Sequence, residues 1–354
     1  MKRTKIAMGA SSAILIGLIT ATAGMAEIII PEGAAGTALR LDSTFTPSGR
    51  ITGLGNVHGM DLAASRGLLV SASLDEQSRA GLAVAKPEGM AESDHKAHHT
   101  KAGKKAGTDD QTISLISLID INSGKIRRQI EVPGMVHHVT VGGPGDRYVV
   151  ATHPGLDAVS IIDLETNRVT ATIQTGPNPN YAVYDPQTES FLVSNAGNAT
   201  ISRIDPTQGY VLRNFKTPAG AEHLAIDTRG RRLFAAEADA GTVSVMNLDS
   251  GEIIDTYQIG GELHGIAYQA SSDSLFVSAR EQGKVVSIDL SGKRPIKTTS
   301  VGPQPYHMAI DNGRLVVSSA ENDLLWVVDT TTLDVVKTIP TAATGHQMVV
   351  IPDS

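Results

Sequence analysis

From residue 136 to 341 the chain is written as short runs of Val, Ile, Leu, Phe and Thr, four runs to a unit. Gly, Asp, Asn or Pro separates the runs at hairpin spacing. The units begin VHHVTVGGPGDRYVVATH (136–176), PNYAVYDPQTESFLVSN (179–217), AEHLAIDTRGRRLFAAE (221–260), ELHGIAYQASSDSLFVSA (262–302) and PYHMAIDNGRLVVSS (305–341). None of them holds a helical period. Four antiparallel strands recurring about every 42 residues predict an all-β chain, a β-propeller with one blade per unit.

Both ends of the pattern are incomplete, in complementary ways. EIIIPEGAAGTALRLDSTFTPSGRITGLG (27–55) matches strands two to four of a unit, with AAGTALRLDS paralleling ADAGTVSVMNLDS. TGHQMVVIPDS (344–354) holds one strand only. The C-terminal strand is therefore expected to complete the N-terminal blade as its innermost member, closing the ring and removing its free edges. With the unit from 56 to 134 the total is seven blades, in a single domain spanning 27–354.

Ahead of the repeats stands MKRTKIAMGASSAILIGLITATAGMAE. A basic start (Lys2, Arg3, Lys5) and a short apolar run, Ala13 to Ile19, lead to small residues, with cleavage expected after Ala23 or Ala26. Residues 1–26 read as a secretory signal peptide, too short in its apolar run for a membrane span, which directs the mature chain to the periplasm as a soluble monomer. The net charge of −7 becomes −10 once the three leader cations are removed, which argues against nucleic-acid binding. There is no cysteine, so disulfides, thiolate zinc sites, iron–sulfur clusters and c-type haem attachment are excluded. Any metal must be held by His, Asp, Glu, Tyr or Met.

Aligning the first strand of every unit isolates one column. It contains His58 (NVHGMDL), His138 (VHHVTVG), Tyr181 (PNYAVYD), His223 (AEHLAID), His264 (ELHGIAY), His307 (PYHMAID) and His346 (TGHQMVV). From His138 onward the spacings are 43, 42, 41, 43 and 39 residues. Equal register in a propeller means equal depth along the axis, so six imidazoles should form a belt where the inner strands begin, at the channel mouth. Neutral imidazole is the commonest ligand for zinc or copper. The alternative is a set of structural histidines, each hydrogen-bonded within its own blade as in WD-repeat propellers. His137 should point to the other side of its strand. Met60, Met308 and Met348 follow belt positions and are soft enough for Cu(I), though strand core is the favoured reading for them. Glu32, Glu237, Glu321 and His153, near the turns between second and third strands, read as ordinary turn residues or subsidiary ligands.

The interval from His58 to His138 is 80 residues, nearly double the rest. Its excess, residues 76–110, includes DHKAHHTKAGKKAG, a His- and Lys-rich stretch with little to bury. Strand polarity puts this loop, between strands two and three, on the face where the first strands begin, over the belt. Asp94, His95, His98 and His99 are candidate capture ligands; were the segment helical, its histidines would share one side. A disordered polar insertion is the bland counterpart.

LFVSAREQGKVVSIDLSGK, FLVSNAGNATISRIDPTQG and LFAAEADAGTVSVMNLDSGEI resemble the strand–turn–strand signature of the YVTN family of seven-bladed propellers, across essentially the whole mature chain. The belt, with motifs such as NVHGMD, and the loop DHKAHH together resemble the AztD-type periplasmic zinc metallochaperones. That resemblance implies zinc capture by the loop, holding by the propeller, and transfer to the periplasmic solute-binding protein of a metal importer. Two other classes remain open at this stage. One is a propeller enzyme, copper-dependent as in nitrous oxide reductase or of the lyase type, although no paired carboxylates or nucleophile constellation is visible. The other is a metal-free interaction scaffold.

Overall fold

The computed structural model describes residues 27–78, 112–292 and 296–352; the leader segment and nearly all of the 76–110 insertion, Asp94, His95, His98 and His99 included, lie outside the described residues. The chain folds as a seven-bladed β-propeller. Blade 1 joins Val349–Ile351 to three strands from residues 27–52 in the order predicted, with Ile28 opposite Val350 and Ile29 opposite Val349. Blades 3 to 7 each run outward in simple antiparallel succession, from inner strands Val139–Gly142, Pro179–Asp185, Ala221–Asp227, Leu263–Gln269 and Pro305–Asp311. Blade 2, with inner strand Val57–Ala63, is irregular. Its third strand, Thr112–Asp120, overruns the second, Leu68–Ser73, and its excess pairs with Gln77–Ser78. The stems of the insertion thus leave the blade at the end where Val57 pairs with Ser73, the end where the inner strands begin.

The apolar runs make seven clusters, one in each interface between adjacent blades. Phe234 and Phe276 occupy the same place in successive second strands, with Phe191 one place earlier in its own; all three are fully buried, each contributing about 1.5–3 kcal/mol of transfer free energy. Outer strands alternate; Arg168–Gln174 buries Ile173 while its flanking residues face water. On the face away from the insertion, Arg231 grips both carboxylate oxygens of Asp185 (2.7 and 2.8 Å) and also reaches Asp249, pinning blade 5 to blade 4. No helix among the described residues is long and apolar enough to cross a membrane.

Candidate metal centre

The centre is built on a repeated fault in the pleat. In five inner strands the pairing to the second strand slips near its start: between Val57 and Gly59, Pro179 and Ala182, Ala221 and His223, Leu263 and Ile266, and Pro305 and Met308. A bulge bends the strand and re-aims a side chain, and here it turns one ring per blade toward the axis. In three blades a second-strand hydroxyl takes up an inner-strand N–H near this point. The Tyr181 N–H donates to Ser194 Oγ (3.0 Å), which donates to the Glu222 carbonyl of the next blade (2.9 Å). Ser278 does the same between the Gly265 N–H (2.7 Å) and the Tyr306 carbonyl (2.8 Å), and Thr152 between the His138 N–H and the Asn180 carbonyl. The carbonyl engaged is each time that of the residue before the column position, so every clamp also fixes the neighbour's ring. Gly265 permits the close approach, because a Cβ there would stand 2.4 Å from the Tyr306 carbonyl oxygen.

All six column histidines come together. Centroid separations are 4.0 Å for His58–His346, 5.0 Å for His58–His138, 5.3 Å for His138–His223 and 4.1 Å for His223–His264. His307 is central, at 5.0 Å from both His223 and His264 and 5.5 to 5.8 Å from His138, His58 and His346. Tyr181, the exception in the column, lies 4.8 Å from both His138 and His223 and completes the ring. The expectation of rings around an open mouth needs correcting: no column histidine is more than 6% exposed, since the rings pack on one another and close the axis.

Burial sets the chemistry. It holds His58, His138 and His307 well below the usual imidazole range, and the neighbouring rings, repelling any shared positive charge, push them further down. They are neutral at pH 7, the form that ligates. At His138, Nδ1 lies 3.0 Å from the Asn180 carbonyl, an acceptor only, so Nδ1 carries the proton and Nε2 a lone pair. That Nε2 is buried without a hydrogen-bond partner, as is Nε2 of His307. A ring nitrogen anchored to a carbonyl with its opposite nitrogen bare is how metal-binding histidines are commonly prepared. Two groups have ligand atoms within 4.8 Å of one another: His58, His138 and His307, and His223, His264 and His307. Three imidazoles converging in this way can hold zinc or copper, the remaining position being left to water or a fourth ring.

Several neighbours depart from expectation. His137 does not turn away: it stacks on His58 at 4.4 Å and lies 4.1 Å from His138. The strand begins only at Val139, so residues 137 and 138 are not bound by strand alternation. Glu222, which no sequence pattern singles out, is buried with a carboxylate oxygen 3.6 Å from His264 Nδ1, and Tyr306 stacks on that ring at 3.9 Å. The only available cue was the position of each immediately before a column histidine. Glu32 and Glu237 are fully buried rather than solvated: Glu32 binds Thr37, Arg50 and the Ala342 N–H, and Glu237 binds Thr242 and Ser244. His153 is likewise consumed, by the Met135 carbonyl (3.0 Å) and Ser160 (2.8 Å). These three lock second strands to third strands and are not ligands, while Glu321 is exposed. Met60 is buried core in one blade interface, and Met308 and Met348 pack against the cores of two others.

Further along the inner strands, Asp61 accepts the Val141 N–H (2.7 Å) and the Leu62 N–H (2.8 Å), and burial pushes its carboxyl up to about 6. Gln347 caps the same edge, donating to the Val139 carbonyl at 2.8 Å and bonding Tyr181, whose hydroxyl burial pushes up.

Comparison with known proteins finds the fold widely. The cytochrome D1 heme domain family model matches residues 230–351, about a third of the chain, from blade 5 to the C-terminal strand that closes blade 1. Among solved structures, a candidate 6-phosphogluconolactonase from Bacteroides fragilis superposes with TM-score 0.72 at 12% identity, over 94% of this chain and 99% of that one. The periplasmic gluconolactonase PpgL of Pseudomonas aeruginosa gives 0.70 at 15% identity, over 93% and 100%. The dihydro-heme d1 dehydrogenase NirN gives 0.63 at 15% identity, over 90% of this chain and 65% of that longer one. No curated protein matches by sequence. These likenesses define the class, a seven-bladed propeller. A d1 haem does not fit this axis: the column rings pack on one another with centroids 4.0 to 5.8 Å apart and close it, leaving no space for a macrocycle among them.

Proposed function

We propose that the chain is a periplasmic carrier that holds a transition-metal cation in the axial histidine cluster, zinc in the first place and copper as the alternative. The supporting observation is His138, whose proton is fixed on Nδ1 by the Asn180 carbonyl while its bare Nε2 faces two further neutral imidazoles. An all-nitrogen, uncharged donor set suits a borderline cation better than calcium or magnesium, which require oxygen. The leader-like N-terminus and the periplasmic gluconolactonase among the fold neighbours agree with export. In this reading the loop residues Asp94, His95, His98 and His99 capture the ion at low affinity, the cluster stores it, and the solute-binding protein of a metal importer receives it.

Equilibrium dialysis against micromolar zinc, with elemental analysis of protein taken from its native compartment, tests the storage step. Bound zinc is expected; a metal-free protein ends the proposal. Removal of residues 92–107 should slow transfer to a chelating dye while the tight site persists.

A second reading, as a lactonase- or lyase-type enzyme, has one residue in its favour. Asp61, poised near 6 within the axis, has the proton affinity of a general base at neutral pH. Lactone hydrolysis that disappears in Asp61→Asn with metal content unchanged would carry that reading instead.

A further inference from the structure

The two histidine groups share a member, and their surroundings differ in charge. His58, His138 and His307 are crowded by other imidazoles, which together with burial push their proton affinity down. In the second group, His264 has the buried Glu222 carboxylate 3.6 Å from its Nδ1. A carboxylate behind a ligating imidazole fixes its tautomer and makes its other nitrogen a better donor. It also places a negative charge beside that group, and a buried dication is costly unless compensated.

Resting on the carrier reading above, we infer that the cluster offers one ion two overlapping positions, His58–His138–His307 and His223–His264–His307, with His307 as the ligand kept during passage between them. Simultaneous occupation would place two dications on either side of a single imidazole, in a dry interior with the Glu222 carboxylate beside only one of them. Their mutual repulsion forbids it unless His307 itself loses its last proton. The ion rests at the position backed by Glu222. The other position is a less stable station reached by exchanging two ligands, His223 and His264 for His58 and His138. Exchange with one ligand retained never releases the ion into the apolar interior, so the cage can be both tight and exchangeable.

Titration of the full chain with zinc, and with cobalt(II) read by its visible absorption, tests this in wild type, His264→Gln, His58→Gln, Glu222→Gln and His307→Ala. Wild type should take up one ion. His264→Gln should still bind one, more weakly, with a changed cobalt spectrum because the ion now occupies the other group. His58→Gln should keep the wild-type spectrum, and Glu222→Gln should bind about 10–100-fold more weakly. His307→Ala should bind none, with metal-free melting of each variant establishing that it folds. Two ions bound to wild type would overturn the inference in favour of a bridged pair. Complete loss of binding in both His58→Gln and His264→Gln would overturn it in favour of one indivisible site. Absence of binding in wild type would instead remove the carrier reading, so the two failures are distinguishable.

Discussion

At His138 the Asn180 carbonyl fixes the proton on Nδ1, so the Nε2 lone pair is aimed inward before any cation arrives. The same economy of space governs Gly265, whose missing Cβ lets the Tyr306 carbonyl approach and, through it, the His264–Tyr306 stack. Gly265→Ala must therefore push blades 6 and 7 apart. It should lower stability by about 1–3 kcal/mol in urea denaturation and weaken zinc binding in the same variant. The column of six histidines was legible in the sequence because each occupies the same place in a repeat. His137 and Glu222 were not, for a local reason. Both precede a column histidine, where strand alternation would send neighbouring side chains to opposite sides, but an irregular approach or a bulge suspends that rule. Burial of the column was hidden too, since register sets depth along the axis and says nothing of how far the rings close over it.

Among the elements, the bulged inner strands depend on the hydroxyl supplied by the second strand. Thr152, Ser194 and Ser278 each bind an inner-strand N–H and donate to the next blade, whereas Ala72 and Ala236 stand at the corresponding positions of blades 2 and 5. The clamp is not universal: Ser318 holds that position in blade 7, but its hydroxyl donates to the His307 carbonyl of its own blade (3.4 Å). Ser278→Ala leaves the Gly265 N–H without this acceptor in a buried site, and a loss of about 1–3 kcal/mol is expected by chemical denaturation. A serine introduced at Ala236 provides the converse test, with stability unchanged or raised. Blade count and strand order were readable from turn chemistry and apolar runs, because every unit repeats the same four-strand phrase. The overrun of Thr112–Asp120 past its partner, pairing with Gln77–Ser78, was not, since pairing beyond the regular unit has no counterpart elsewhere in the chain.

For the molecule as a whole, the buried imidazoles make stability depend on acidity. His58, His138 and His307 are held below 6.5 in the folded state, so the unfolded chain binds more protons as pH drops through that value. Their contribution is complete above about pH 6.5 and is lost on acidification, each ring costing at most about 1.4 kcal/mol per pH unit. Asp61 acts in the opposite sense: its folded value of about 6 exceeds the ordinary aspartate value of 3.8, so it favours the folded state as pH falls through that window. Three rings outweigh one carboxyl, and the melting temperature of the metal-free protein should fall steadily from pH 7 to 5. A flat profile in calorimetry would mean that the rings are not neutral and buried as described. The short pairing of Ile28 with Val350 and Ile29 with Val349 has a consequence in time rather than in energy. These partners are more than 300 residues apart, so their meeting is a late and slow event in folding. Until it happens His346 is not in place, and a cation encountered early meets an unfinished enclosure from which it can still depart.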